Sequence, residues 1–253
     1  MLVSVVIITR NEERNIARCL ESLHGVADEV IVVDAESTDA TRAIAEAHGA
    51  QVHVRPWKGY SDQKNHANAL ASHDWILSLD ADEVLSDALR DDLLRRKQEG
   101  FKGAYRLKRL TNYCGHWVRH GGWYPDAKVR LFPKDGTRWE GDHVHEELVL
   151  PHGCVITDLR GDLLHYSYHS VQDHVDRIER YSDLHARAMH ERGRRAPLWK
   201  LWLAPAFKFV QCYGMLLGFL DGWAGWRIAV LSARAVRLKY SKLRELQRGD
   251  HKG

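Results

Sequence analysis

The chain has 253 residues, 44% of them hydrophobic, and a formal net charge of only +3. That length supports one sizeable core plus an extension. Its four cysteines, Cys19, Cys114, Cys154 and Cys212, show no C-x-x-C spacing, which argues against a structural zinc site and against a disulfide framework. The charge is uneven: residues 192–253 hold 13 Lys and Arg against 3 Asp and Glu, about +10, leaving about −7 on the first 191. Such asymmetry points to a tail that meets an anionic partner, nucleic acid or anionic lipid.

Leu2 to Ile8 lacks a basic leader and a small-residue cleavage site, so it reads as a first strand and not a signal peptide. A cytoplasmic location is the resulting expectation. Val3 to Thr9 is apolar and largely β-branched, as in a strand buried on both faces. A helix is predicted over Asn11 to His24, with Ile16, Leu20 and Leu23 at helical spacing and Gly25 at its stop. Glu29 to Val33 is a second strand ending at Asp34. Ser37 or Thr38 caps a predicted helix to His48, and Gln51 to Val54 is a third strand. Ser61 to Ala71 reads as a helix, Asp74 to Leu79 as a fourth strand ending at Asp80, and Ser86 to Gln98 as another helix. This order predicts an α/β fold: a mostly parallel sheet with helices on both faces. Farther on, Ala104 to Leu110, Lys128 to Phe132 and Leu163 to Tyr168 read as strands, and Ser170 to His190 as a helix.

In such sheets ligands bind beyond the carboxyl ends of the strands. Thr9, Asn11 and Glu12 follow the first strand, Asp34 the second, and Asp80-Ala81-Asp82 the fourth. Each alone is equally a cap or a loop carboxylate; three such groups at strand ends point to one site. Two carboxylates one residue apart after an apolar strand suit a hard divalent cation, Mg²⁺ or Mn²⁺, that also meets phosphate oxygens.

The segments Val5-Val6-Ile7-Ile8-Thr9-Arg10-Asn11-Glu12-Glu13, Ile31 to Asp39, Lys64-Asn65-His66-Ala67 and Leu79-Asp80-Ala81-Asp82-Glu83 together resemble the family 2 glycosyltransferases of the GT-A (Rossmann-like) fold. The resemblance implies that Thr9, Asn11, Glu12 and Asp34 hold the base and ribose of a UDP-sugar and that Lys64 approaches the donor. It also implies that Asp80 and Asp82 serve donor and metal, with His165 completing the metal shell. Downstream, His120 to Asp126, Arg130-Leu131-Phe132, Trp139-Glu140-Gly141, Val144-His145-Glu146 and Gly218 to Gly225 are similar to lipopolysaccharide-core glucosyltransferases of the WaaE/KdtX type. That similarity implies glucose as the sugar and an inner-core heptose as the acceptor.

Inversion needs one general base for the acceptor hydroxyl. Glu146 is the first candidate, Asp142 the second and His145 the third. Trp123 and Tyr124 are candidates to stack on acceptor sugar rings, and aromatic residues at that density equally build core. Phe209 to Leu220 is uncharged but shorter than the roughly 20 apolar residues of a membrane span, so it reads as an interfacial or re-entrant segment. From Arg227 a helix sets Ile228, Leu231, Ala235, Leu238 and Leu246 on one side, with Arg227, Arg234, Arg237, Arg244 and Arg248 on the other. A basic amphipathic helix on an anionic membrane surface fits that pattern, and so does a helix packed on the protein with a solvated basic face.

The expected organisation is a glycosyltransferase domain over residues 1–195, with a nucleotide-sugar half (1–100) and an acceptor half (101–195), and a membrane-associating extension over 196–253. The expected enzyme is peripheral on the cytoplasmic membrane and acts on a lipid-linked saccharide. Rival readings keep the donor chemistry with another acceptor, such as a capsule precursor or a protein, or make the tail a nucleic-acid binder. The absence of any recognised nucleic-acid motif speaks against the last.

Overall fold

The first strand, β1 (Val3–Thr9), is buried along its whole length, because a strand covered on both faces must be apolar on both. The computed structural model describes residues 1–141 and 146–250, the last two by backbone alone. After β1 come α1 (Ile16–Ser22), β2 (Glu29–Asp34), α2 (Thr41–Ala47), β3 (Gln51–Val54), α3 (Tyr60–Leu70) and β4 (Trp75–Asp80). Next are β5 (Glu83–Leu85), α4 (Asp87–Glu99), β6 (Ala104–Tyr113), β7 (His116–Val118), β8 (Asp126–Pro133), β9 (Arg138–Glu140), β10 (Glu147–Val149) and β11 (Ile156–Tyr168). Three further helices follow: α5 (Val171–Glu191), α6 (Lys200–Val210) and α7 (Gly222–Asp250).

The expected α/β class is what forms. The main sheet runs β3-β2-β1-β4-β8-β6-β11-β5, with β7 on β6, and β9 and β10 make a separate hairpin. Parallel pairing is confined to β1–β4; β4/β8, β8/β6 and β11/β5 are antiparallel. The sheet is therefore mixed, with its parallel half where strands alternate with crossover helices. Alternation sorts the side chains: Val5, Ile7, Val32, Leu77 and Leu79 face α1, α2 and α4, whereas Val6, Ile8, Ile31, Val33 and Ile76 face α3 and Trp139. Burying one such side chain contributes about 1.5–3 kcal/mol.

Two helices begin later than their sequence pattern predicts. Asn11 adopts φ +55°, and the amides of Asn11 and Glu12 donate to the Ser37 and Thr41 hydroxyls at 2.8 Å each. These bonds hold residues 11–15 as a loop, so α1 starts at Ile16. Ser37 also donates its hydroxyl to Asp34, which leaves it unavailable as a cap, and α2 starts at Thr41. By contrast Ser86 caps α4, accepting from Leu89 N, so the helix begins one residue after its predicted start, and Ser170 with Asp173 forms a capping box on α5.

Contacts divide the chain into two compact units, residues 1–109 with 126–166, and residues 110–125 with 167–253. The composition break at Ala196 falls inside the second unit. The second unit is built on α5 and α7, with Tyr113, Val118, Ala224 and Ile228 forming one small core and Ala186, Ala196 and Leu243 another. Buried Asp221 accepts from the amides of Arg119 and His120 at 3.1 and 2.7 Å, and His120 Nδ1 lies 3.0 Å from it. A Cβ on Gly225 would lie 1.8 Å from the Gly218 carbonyl oxygen, so only glycine allows that approach.

The apolar stripe predicted on α7 is covered: Ile228 and Leu231 are buried, while Arg227, Arg234, Arg237 and Arg248 are solvated. What stands exposed is the apolar surface of α6 and the turns after it, including Trp199, Trp202, Leu203, Phe207, Val210 and Met215. No single helix among the described residues is long and apolar enough to cross a membrane.

Candidate active site

The carboxyl end of β4 carries Asp80, and the tight β5 that follows carries Glu83, fully buried. Glu83 accepts from the Asp80 amide at 3.0 Å, which closes the Asp80–Glu83 turn. Arg130 enters from β8 and bridges the two, 2.6 Å from Asp80 Oδ2 and 2.5 Å from Glu83 Oε1. Its guanidinium is only 4% exposed, so it stays charged inside the protein because two carboxylates surround it. Burial works against that charge, but Asp80 and Glu83 hold the Arg130 pKa above the ordinary arginine range. Arg109 from β6 reaches Glu83 at 3.4 Å and Asp126 at 2.9 Å.

Lys64 comes to the same place from α3. It is 2% exposed, donates to Glu146 at 2.8 Å, and lies 3.6 Å from Asp80 Oδ1 and 4.5 Å from the Trp139 ring centre. Burial alone would raise the Asp80 carboxyl; Arg130, Lys64 and Arg109 outweigh it and hold Asp80 well below the usual carboxylate range. The neighbouring Asn65 explains how Glu146 gets there. Its side chain donates to the Trp139 carbonyl and accepts from the Trp139 amide, both at 2.8 Å, while Ser61 donates to the Gly141 carbonyl. These bonds pin β9 to α3, and β9 pairs β10 with Glu140 opposite Glu147, directly after Glu146. Asp80, Arg109, Arg130, Trp139 and Glu146 all line one cavity of about 650 Å³, within the usual range for small-molecule sites.

Asp82 faces a different partner. β11 pairs β5 with His165 opposite Glu83, and Tyr166 N donates to the Asp82 carbonyl at 2.9 Å. That register sets His165 Nε2 3.1 Å from Asp82 Oδ2. A carboxylate oxygen and an imidazole nitrogen so placed fit two positions on a small divalent cation. No group of three or more His, Cys, Asp or Glu side chains that could hold a metal occurs among the described residues. A cation there would draw its other ligands from water and from a diphosphate, as Mg²⁺ commonly does.

At the end of β1 the buried Thr9 hydroxyl has no hydrogen-bond partner among the described residues. A buried hydroxyl left so costs stability unless a ligand satisfies it. Asp34, fully buried, accepts from Ser37 N and Oγ at 2.8 and 2.5 Å, and Arg42 lies 3.9 Å away. Burial pushes the Glu12 carboxyl up to about 7 against the bond from Asn15, with Asp82, Asp39 and Asp80 adding to the rise.

Residues 4–145 match the sequence model of Glycosyl transferase family 2. The chain belongs to that family. This glycosyltransferase is 33% identical to an uncharacterized glycosyltransferase of Rickettsia typhi, over 96% of this chain and 87% of that one. It is 30% identical to the lipopolysaccharide core biosynthesis glycosyltransferase LpsC of Rhizobium meliloti, over 94% and 93%. Among solved structures, glucosyl-3-phosphoglycerate synthase from Mycobacterium tuberculosis with Mn²⁺, UDP and its product is 27% identical over 44% of each chain, at a TM-score of 0.37.

Thr9, Asn11, Glu12, Asp34, Lys64, Asp80, Asp82, Glu146 and His165 all belong to the first unit. Asp80 differs from its expected place in a metal shell: its two oxygens face Lys64 and Arg130, and the contact with His165 is made by Asp82. Asp142 and His145 lie outside the described residues. Trp123 and Tyr124 lie in the second unit. There Trp123 packs against Tyr113, Tyr168 and His174, with ring centres 5.4–5.9 Å apart, and Arg119 sits over Tyr124. Sequence reasoning overlooked Arg109, Arg130, Glu83 and Trp139 as site residues. The signal for Arg130 is a lone cation inside the apolar run Val129-Arg130-Leu131-Phe132.

Proposed function

We propose that this glycosyltransferase is an inverting enzyme that moves glucose from UDP-glucose to a heptose of the lipopolysaccharide inner core, with a divalent cation, at the cytoplasmic membrane surface. The observation that carries the reading is the convergence of Asp80, Arg130 and Glu146 on one cavity at the end of β4, with buried Lys64 paired to Asp80 and Glu146 behind it. Similarity to LpsC supports the acceptor class.

Uridine and ribose are read by Thr9, Asn11, Glu12 and Asp34. Asp82 and His165 hold Mg²⁺ or Mn²⁺, which supplies positive charge to the diphosphate leaving group. Glu146 takes the proton of the acceptor hydroxyl as that oxygen attacks the anomeric carbon, and the bond to the diphosphate breaks on the opposite face. Lys64, donating to Glu146 at 2.8 Å, fixes the orientation of that carboxylate. An α-linked donor thus yields a β-linked product. The apolar surface of α6 rests on the membrane that carries the acceptor, and the solvated arginines of α7 face anionic headgroups.

The test pairs binding with turnover. Calorimetry with UDP and a panel of UDP-sugars, with Mn²⁺ or chelator, is expected to show metal-dependent binding that favours UDP-glucose and is lost in Asp82→Ala. Glu146→Gln is expected to keep donor binding and to lose about 10²–10⁴-fold in transfer rate. Transfer by Glu146→Gln at the wild-type rate would remove the base assignment. Failure of every uridine nucleotide to bind would remove the donor.

A further inference from the structure

The second unit holds a cavity of about 330 Å³ among α5, α6 and α7 that plays no part in the chemistry above. Its walls are apolar and aromatic at Ile178 and Tyr181 of α5 and Val236 of α7, and polar at Ser182, His185 and Ser232. Three cations line the same space, one from each helix: Arg177, Lys208 and Lys239. Each is half-buried, and among the described residues none has a carboxylate within ion-pair distance. Arg177 donates to the Ser167 hydroxyl at 2.8 Å and lies over the Tyr168 ring. Lys208 donates to the neutral Gln211 amide oxygen at 3.2 Å, and Lys239 lies over the Tyr240 ring.

The contrast with the adjoining cations is informative. Arg234 and Lys242 on the same α7 are neutralised by Glu179 and Asp183 of α5 at 2.9–3.3 Å. The protein therefore places acids on α5 where it needs to cancel charge and omits them beside the cavity. Burial, with Arg177 close by, lowers the His174 imidazole to about 4, so this histidine is neutral near pH 7 and adds no charge to that of Arg177, Lys208 and Lys239. Gathering like charges around a half-buried space costs folding free energy, and an anion that fills the space returns it.

We propose that this cavity is a phosphate-binding site for an amphiphile, with Arg177, Lys208 and Lys239 on the phosphate and the Ile178, Tyr181 and Val236 walls against its apolar part. Lys208 shares α6 with exposed Phe207 and Val210, so a ligand held at the cavity mouth has apolar surface beside it for hydrocarbon. The cation set alone would equally take a free phosphate. Its assignment to a membrane lipid rests on the membrane reading of α6 above, while the anion site itself needs only the residues of the second unit.

The test uses the full chain and two soluble probes, inorganic phosphate and dihexanoyl phosphatidic acid below its micellar concentration, with binding read by calorimetry. Saturable one-to-one binding of the short-chain lipid is expected. K208Q with K239Q should weaken it at least tenfold, and K58Q with K102Q, which removes the same charge from exposed positions outside the cavity, should change it less than twofold. Binding of the lipid tenfold or more tighter than phosphate assigns the site to a lipid phosphate; equal affinity assigns it to a free phosphate. Should the lysine double variant not fold, the wild-type chain answers instead: bound lipid should protect Lys208 and Lys239, but not Lys102, from an amine-acylating reagent followed by mass spectrometry. No saturable binding of either probe, equal weakening by both double variants, or absence of protection overturns the site. Flotation with phosphatidylglycerol vesicles separates the two readings. A chain that ignores vesicles yet binds the soluble lipid loses the membrane reading and keeps the cavity, and the reverse result does the opposite.

Discussion

The two units differ in whether the cations at a cavity are paired with carboxylates. In the first, Lys64, Arg109 and Arg130 are each matched by carboxylates at 2.5–3.6 Å, and the network is closed by Asp80, Glu83, Asp126 and Glu146. In the second, Arg177, Lys208 and Lys239 meet hydroxyls, an amide and aromatic rings, beside tryptophans left in solvent. A closed network is set before any ligand arrives, so it orients groups for chemistry without reorganising. An open one is completed by something the chain does not carry.

The difference can be broken most forcefully at Arg130. Arg130→Met removes the nearest cation from both Asp80 and Glu83, leaving Lys64 at 3.6 Å from one and Arg109 at 3.4 Å from the other, and urea unfolding should show a loss of about 3 kcal/mol. Lys239→Met in the second unit should change stability by less than about 0.5 kcal/mol. Similar losses at both positions would erase the distinction.

A smaller effect is expected at Glu12, whose pKa stands at about 7 in the folded chain against an ordinary 4.5. Raised in the folded state, this carboxyl contributes stability that is full below its unfolded pKa and lost as pH rises through about 7. Glu12→Gln should therefore be more stable than the wild type at about pH 8, by about 1–2 kcal/mol, and close to it at about pH 4. Urea midpoints across that range check the sign, and a variant less stable at high pH would reverse it.

The smallest stability effect belongs to Trp202, which is 66% exposed. Trp202→Ser should move the unfolding midpoint by less than about 0.5 kcal/mol, yet it should lower flotation with anionic vesicles severalfold. A large loss of stability would mean that the exposed surface of α6 serves the fold instead.

The strand ends were legible because two-sided burial forces an apolar run, and the run stops where the chain turns polar; Asp34 and Asp80 stand at those stops. Lys64 and Glu146 were legible only through family resemblance, since nothing local relates residues 82 apart in sequence. Arg130 was visible as an anomaly in an apolar strand, but its role depends on two carboxylates from another element. The helix starts at Ile16 and Thr41 escaped because side chains of one loop are spent on the backbone of another, a tertiary exchange that no window of sequence contains.

By itself the sequence determined the hydrophobic period, and with it the parallel strands, the crossover helices, and the family motifs at the strand ends. Periodicity is written residue by residue, because each apolar side chain responds to its own burial. Only the tertiary structure decided that the apolar side of α7 is covered by the protein itself and that α6 is the surface left bare. It alone decided that Asp82 and not Asp80 meets His165, and which cations find acids. Each of these depends on partners distant in the chain, and charge interactions act through space at a few ångströms, so the register of β11 on β5 and the clamp of α3 on β9 settle them.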